Sequence, residues 1–307
     1  ASSDLISNDF LSFYIALELQ SLCFYTAASF LRTSEFSSEA GLKYFILGAF
    51  ASALLLFGFS FLFMLFGCLD FESIFRLKQL DDNIFFFLGF LLIFISLLFK
   101  LGAFPFHVWV CDVYDGSPIS ITGFFATMPK IALLAFVLKL TFCVFLENRS
   151  NVDILFAYCG LGSVCFASIA ALYQKRLKRL LAYSTISHCG FLCLSIACIN
   201  TNAAAAGSLY VLVYSITNIN IFSILFLSGL NNVQQMFIVN WTAVAARNSA
   251  FAVLFSLQLF SLAGIPPFVG FATKLYVLLS LLSQDFVLIA CIIAIFSSIG
   301  CFYYIRL

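Results

Sequence analysis

The chain has few charged residues. Only 9% of its 307 residues are Asp, Glu, Lys or Arg, whereas 63% are apolar, and the mean hydropathy is +1.10. Soluble domains carry charge on about a quarter of their residues. A soluble fold is therefore excluded, and most of the surface faces lipid.

Strong charge of one sign and metal-binding cysteine motifs are also lacking. The net charge is +1, and no basic stripe interleaved with aromatic residues is present, which excludes nucleic-acid binding. The 11 cysteines stand singly in apolar runs, without a CxxC pair or a Cys/His cluster at ligand spacing. The sequence therefore predicts no metal, haem, iron–sulfur centre or other cofactor in this chain.

Long apolar runs define the fold class. A membrane-spanning helix needs about 20 mostly apolar residues, and a backbone in lipid must satisfy its own hydrogen bonds. The sequence therefore predicts an all-α polytopic membrane protein with nine transmembrane helices. The predicted spans are Phe10–Leu31, Leu42–Gly67, Ile84–Leu101, Ile119–Leu146, Val152–Tyr173, Leu180–Ile199, Ala203–Leu230, Ser249–Ser283 and Phe286–Tyr304.

The loop Lys175–Arg179 orients these spans. It contains four cations in five residues, and short loops rich in Lys and Arg stay on the side where insertion begins. We call this side the inner end and the opposite side the outer end. Alternation of the spans places the loops at Arg32, at His107–Gly116 and at Arg247 at the inner end, together with Arg306.

Two spans contain helix breakers. Gly102 and Pro105 interrupt or end the third span, and the segment Ala263–Gly270, which contains two prolines, divides the eighth. Broken helices at membrane depth occur only where they are buried in protein or line a wet cavity. Each break lies near a lysine, and the two are five spans apart. This pattern predicts a repeated unit with an ion path at the repeat interface.

Five charged residues lie within or at the edge of apolar runs. Each costs roughly 2.5 to 3.5 kcal/mol to insert. They comprise one acid and four bases, so fixed ion pairs alone do not account for them. Burial lowers the proton affinity of lysine readily, whereas arginine stays charged, so this composition favours proton transfer. The five residues are Glu18, Lys100, Lys130, Lys139 and Lys274.

Lys139 and two further residues, Lys43 and His188, have two interpretations each. Lys139 either takes part in proton transfer or extends along its helix to an interface. Lys43, at a helix start, is either functional or an interfacial anchor. His188, among hydroxyl groups, is either a hydrogen-bonded core residue or orders water for proton transfer. Asp112 and Asp115 fall in a predicted loop and are expected to be solvated.

Several segments together resemble the antiporter-like subunits of respiratory complex I. KLGAFPFHVWVCDVYDGSP, at 100–118, is similar to one family signature, and SLAGIPPFVGFATKLY, at 261–276, is similar to another. LLAYSTISHCGFL, at 180–192, resembles a further span of the family. With ALELQSL at 16–22 and GLKYFILG at 41–48, these segments extend over nearly the whole chain in the family's order. The resemblance is to the N-type branch.

The resemblance implies site residues and a domain organisation. Glu18 corresponds to a carboxylate that partners Lys100, Lys130 to a central lysine and Lys274 to a distal lysine. Lys43 matches a lysine of the N-type pattern, whereas Lys139 matches none. The family fold implies two inverted repeats, here residues 1–151 (family helices five to eight) and 152–307 (helices nine to thirteen).

The resemblance also implies a function. It indicates a proton-translocating subunit in the membrane arm of NADH:ubiquinone oxidoreductase, without a redox centre, in the mitochondrial inner membrane or a bacterial plasma membrane. Other membrane-arm subunits and lipids are the expected partners. Two alternatives stay open: a subunit of a cation/proton antiporter, and a scaffold subunit of the same complex that no longer pumps.

The family pattern extends beyond both ends of this sequence. The family's helices one to four and fourteen have no counterpart here, and the chain begins with Ala1 rather than Met. We expect a separate polypeptide to supply the N-terminal helices.

Overall fold

The computed structural model describes residues 7–78, 84–144, 151–198, 200–228, 237–239, 241 and 248–307. Within these residues the structure is helical, and β contacts are limited to isolated bridges of Asp9 with Asp70 and of Arg176 with Phe237. The predicted all-α class is confirmed. The helices are α1 Phe10–Ala28, α2 Glu35–Phe66, α3 Phe71–Lys78, α4 Ile84–Leu101, α5 Val108–Gly116, α6 Ile119–Val144, α7 Asn151–Leu172, α8 Leu177–Ala197, α9 Thr201–Leu227, α10 Ser249–Ala263, α11 Val269–Leu282 and α12 Val287–Ile305.

The described helices include the predicted spans. Eight of them are long and apolar enough to cross a membrane, and α10 and α11 together form the predicted divided span. The predicted span ends at Leu146, Ile199 and Leu230 lie outside the described residues, as do Arg247 and the residues before Ser7. The chain is therefore a membrane protein with several transmembrane helices.

The helix α2 begins at Glu35, seven residues before the predicted start. The Ser34 side chain accepts a hydrogen bond from the backbone N–H of Ser37, which caps the helix. At 32 residues, α2 is about 48 Å long, compared with about 30 Å for the hydrocarbon core. Its first turns therefore extend beyond the membrane at the inner end.

The prediction of a loop at 107–116 is wrong, because residues Val108–Gly116 form the helix α5. Nine residues are too few for a stable isolated helix, so contacts with neighbouring helices must hold α5 in place. Seven of its nine residues are buried.

Both breaks start with a glycine in the left-handed backbone region. Gly102 follows α4 with φ 74°, and Gly264 follows α10 with φ 78°. An L side chain is disfavoured in this conformation, and glycine adopts it freely at helix C-termini. The 15 residues of α10 and the 14 of α11 each reach about three quarters of the way across the hydrocarbon core. The break between them therefore lies at membrane depth.

The helix α8 lies in the centre of the bundle. In its most apolar stretch of 18 residues, 94% of the residues are buried. In the corresponding stretch of α12, 28% are buried. The helix α8 crosses α7 closely, because a Cβ atom on Gly160 would lie 2.9 Å from the carbonyl oxygen of Gly190. Small residues at such crossings allow two helices to approach within the membrane.

This crossing leads to a prediction about Gly190. A Cβ atom on Gly190 would overlap the Ser163 hydroxyl and lie 2.8 Å from the carbonyl oxygen of Gly160. We expect Gly190→Ala to destabilise the protein by about 1 to 3 kcal/mol through overpacking. The measurement is the thermal transition of the purified protein in detergent. The control is Gly300→Ala, where the nearest atoms lie 3.8 Å away. A lower transition for Gly300→Ala than for Gly190→Ala would contradict the close crossing.

Candidate functional site: an acid and three lysines

Glu18 and Lys100 form an ion pair beside the first break. The Nζ atom of Lys100, in the last turn of α4, lies 3.8 Å from Oε1 of Glu18 in α1. The side chain of Lys100 is 10% exposed and that of Glu18 is 25% exposed. The Ser21 hydroxyl donates to the other carboxylate oxygen of Glu18 at 3.3 Å. The acid and the base that the family resemblance implies as partners are therefore within ion-pair distance.

Lys130 is buried in α6, one residue after Pro129. Its ammonium group donates to the hydroxyl oxygen of Tyr214 in α9 at 3.3 Å and lies 5.3 Å from the centroid of that ring. A tyrosine hydroxyl both accepts and donates hydrogen bonds, so Tyr214 keeps a donor for a further group while it accepts from the amine.

Lys274 lies in α11 and its side chain reaches back to the second break. Its ammonium group donates to the carbonyl oxygens of Leu262 and Ala263, at 2.8 Å each. These carbonyls belong to the last turn of α10, where the helix dipole favours a positive charge. The ammonium group also lies 5.7 Å from the centroid of the Phe191 ring. The ammonium group of Lys274 therefore replaces the backbone hydrogen bonds that these two carbonyl oxygens lose at the break.

His188 lies in the central helix α8 with a tyrosine at each ring nitrogen. Its Nδ1 atom is 2.6 Å from the Tyr210 hydroxyl, and its Nε2 atom is 3.1 Å from the Tyr304 hydroxyl. A neutral imidazole has one donor and one acceptor nitrogen, so one tyrosine donates to the ring and the other accepts from it. Exchange of the two tautomers moves a proton from one side of the ring to the other.

Two small cavities lie beside His188. Its ring and the Lys274 side chain line both of them. Each is about the size of one water molecule. The first is also lined by Tyr210, Tyr214, Thr217 and Thr273, and the second by Ser168, Ser187, Tyr303 and Tyr304. Polar groups thus extend from Tyr214, the partner of Lys130, to Lys274.

Lys139 and Lys43 lie apart from this polar region. Lys139 donates to the carbonyl oxygen of Ser7 at 2.7 Å and lies 5.2 Å from the centroid of the Phe71 ring, at the outer end. Lys43 pairs at the inner end with Glu39 at 2.7 Å and with Asp112 at 3.1 Å.

The prediction of solvated aspartates is wrong for Asp115. Its side chain is only 7% exposed and lies 2.6 Å from Nη1 of Arg176 and 3.0 Å from Nε of Arg179. The prediction missed this burial because the arginines are more than sixty residues further along the chain. Asp112 is 35% exposed and pairs with Arg179 at 3.4 Å as well as with Lys43.

Sequence reasoning also did not single out Tyr210, Tyr214 and Tyr304. Hydroxyl-bearing aromatic residues within apolar spans are the signal that points to them, because a buried tyrosine hydroxyl usually finds a hydrogen-bond partner. In the part of the chain that the structure describes, no group of three His, Cys, Asp or Glu residues is placed to hold a metal ion. The prediction of no cofactor stays a prediction.

These features together define an antiporter-like transmembrane subunit. Residues 7–300 match the family model described as NADH:quinone oxidoreductase/Mrp antiporter, transmembrane, and the chain belongs to this family.

Relatives from this family carry the names that the resemblance predicts. The chain is 39% identical over 305 residues to NADH-ubiquinone oxidoreductase chain 2 of Marchantia polymorpha, and 38% identical over 306 residues to that of Oenothera berteroana. It is 35% identical over 302 residues to NADH-quinone oxidoreductase subunit N of Parvibaculum lavamentivorans. These alignments span 97%, 97% and 98% of the chain but only 62% of each relative. The assignment to the N-type branch is confirmed.

Solved structures show the same fold. A chain of respiratory complex I from Thermus thermophilus with bound aureothin matches with a TM-score of 0.82 and 28% identity, over 99% of this chain and 66% of that one. A chain of the Mrp complex from Dietzia matches with a TM-score of 0.86 and 18% identity, over 99% of this chain and 57% of that one. Both neighbours are parts of multisubunit membrane complexes. The second, at this identity, supports the fold alone.

Proposed function

We propose that this chain is a proton-translocating subunit in the membrane arm of a NADH:ubiquinone oxidoreductase, located in the mitochondrial inner membrane. The observation that carries the proposal is the Glu18–Lys100 ion pair beside the first break, together with the buried Lys130 and the partly buried Lys274. Family membership and the names of the relatives support the choice of complex.

The proposed mechanism uses the ion pair as a switch. When Glu18 is close, it holds the Lys100 ammonium group charged, and when it withdraws, Lys100 releases a proton. The proton passes to Lys130 and leaves through Lys274, with Tyr214 and His188 between them. The energy for the movement of Glu18 comes from NADH oxidation and quinone reduction in other subunits. This chain itself carries no redox centre.

The two breaks support the proposed repeat organisation. Residues 1–151 and 152–307 each contain a divided helix whose first part ends at a glycine with positive φ, and each has a lysine near the break. We propose that they are two inverted repeats. An experimental structure in which the two segments superpose after a rotation about an axis in the membrane plane would support this.

The experiment that tests the function starts from the complex purified through a tag on this chain. We expect flavin-containing and iron–sulfur subunits to copurify, and vesicles that contain the complex to take up protons when NADH and ubiquinone are added. Copurification with antiporter subunits alone, and cation-driven proton exchange without NADH, would support the antiporter alternative instead.

The proposed partners are other membrane-arm subunits of the complex. Cross-linking from this chain in the purified complex, followed by mass spectrometry, tests this proposal. The absence of cross-links to any other membrane-arm subunit would contradict it.

A further inference from the structure

The short helix α5 lies immediately after the first break and carries two aspartates on one face. Asp112 and Asp115 are three residues apart, which places them on the same side of a helix. Because α5 has only nine residues, its position depends on what these side chains contact.

Three cations near the start of α8 hold α5. Arg176 and Arg179 both contact the buried carboxylate of Asp115, at 2.6 and 3.0 Å. Lys178, which is 3% exposed, donates to the carbonyl oxygen of Ser117 at 2.7 Å, just beyond the C-terminus of α5. The start of α8 therefore binds both the acidic face and the carbonyl end of α5.

The helix α2 holds α5 from another side. Lys43 pairs with Asp112 at 3.1 Å, and the ring of the next residue, Tyr44, stacks on Trp109 with a centroid distance of 4.7 Å and an interplanar angle of 7°. Lys43 and Tyr44 thus contact successive turns of α5.

Trp109 connects α5 to the turn that carries Lys100. Its indole N–H donates to the carbonyl oxygen of Phe99 at 2.9 Å, and its ring stacks on the Phe99 ring at a centroid distance of 5.6 Å. Phe99 directly precedes Lys100 in α4. A shift of α5 therefore moves the backbone next to the lysine that faces Glu18.

We propose that Asp115, with Arg176 and Arg179, and Trp109 are positioning residues that fix α5 and thereby set the distance between Lys100 and Glu18. This inference rests on the proposed function. These residues carry no proton themselves. They hold the turn of Lys100 at the place where a small movement of Glu18 makes or breaks the ion pair.

The test compares Asp115→Asn, Asp115→Glu and Trp109→Phe in the purified complex. The readout is the number of protons taken up per NADH oxidised, measured only on fully assembled complex. We expect Asp115→Asn and Trp109→Phe each to lower this ratio by about tenfold, because a displacement near 1 Å at a reacting group has effects of that size or more. Asp115→Glu keeps the charge and is expected to restore most of the ratio.

A double variant separates positioning from general damage. If both residues act on Lys100 through α5, Asp115→Asn combined with Trp109→Phe is no worse than the more severe single variant. Independent structural damage would instead multiply the two losses. The control is Glu35→Gln, which removes an exposed carboxylate from the first turn of α2 at the same end of the molecule.

The outcomes distinguish this inference from the proposed function. Normal ratios for Asp115→Asn and Trp109→Phe, with a low ratio for Lys100→Ala, would overturn the inference alone. A normal ratio for Lys100→Ala would overturn the proposed function. If Asp115→Asn fails to assemble, Trp109→Phe decides by itself, and a normal ratio for it would overturn the inference.

Discussion

Lys100→Ala is expected to lower NADH-driven proton uptake by the reconstituted complex by about tenfold or more, the scale of losses when a proton-transferring group is removed. Lys100 is the base of the ion pair at the first break, 3.8 Å from Glu18, and alanine neither binds a proton nor holds the carboxylate. Glu18→Gln is expected to have a similar effect, because an amide of the same shape does not hold an ammonium group charged. Proton uptake is measured with a pH-sensitive dye in vesicles of known complex content.

The chain provides matched controls for both substitutions. Lys139→Ala removes a lysine from a spanning helix whose ammonium group binds the carbonyl oxygen of Ser7 at the outer end. Glu35→Gln removes an exposed acid. Both controls are expected to pump normally. If Lys100→Ala assembles and pumps at the wild-type rate, Lys100 has no part in the mechanism.

The order of the spans and the places of the breaks were predictable from local features of the sequence. Apolar runs of sufficient length identify spanning helices without knowledge of their neighbours, because lipid imposes this length on every helix. The glycines and prolines after Leu101 and Ala263 act on the backbone of their own segment. The predicted division of the eighth span is confirmed for the same reason.

Contacts between distant segments were not predictable in this way. Asp115 was expected in solvent because its segment was predicted to be a loop, yet its side chain is buried and pairs with Arg176 and Arg179. The tyrosines on either side of His188 lie 22 and 116 residues away in the chain. Such pairings depend on how the helices pack, and hydropathy contains no information about them.

The same limit applies to the individual lysines. Lys130 and Lys139 lie on one helix, nine residues apart, and sequence alone left the role of Lys139 open. The structure gives Lys130 a tyrosine in α9 as partner and gives Lys139 a carbonyl group before α1. Lys139→Ala therefore also tests whether a lysine outside the polar region contributes to pumping.

Lys274→Arg is expected to lower proton uptake by about tenfold or more, while the protein still assembles. Lys274 donates to the carbonyl oxygens of Leu262 and Ala263 at the end of α10. Arginine preserves the positive charge and has donors for both carbonyls, so the electrostatic support of the break remains. It does not release a proton under any physiological condition. The substitution therefore separates the static role of the charge from its titration.

The comparison with Lys274→Met completes this test. Methionine has a similar length but no charge, so the Leu262 carbonyl loses its side-chain donor and the Ala263 carbonyl keeps only the weak thiol donor of Cys301, at 3.2 Å. This variant is expected to reduce both assembly and pumping. If Lys274→Arg pumps at the wild-type rate whereas Lys274→Met does not assemble, the lysine serves only to stabilise the broken helix. Loss of pumping in both variants, with normal assembly of Lys274→Arg, requires the amine to exchange its proton. Because Lys274 and His188 line the same two cavities, we expect this exchange to proceed through the region between them.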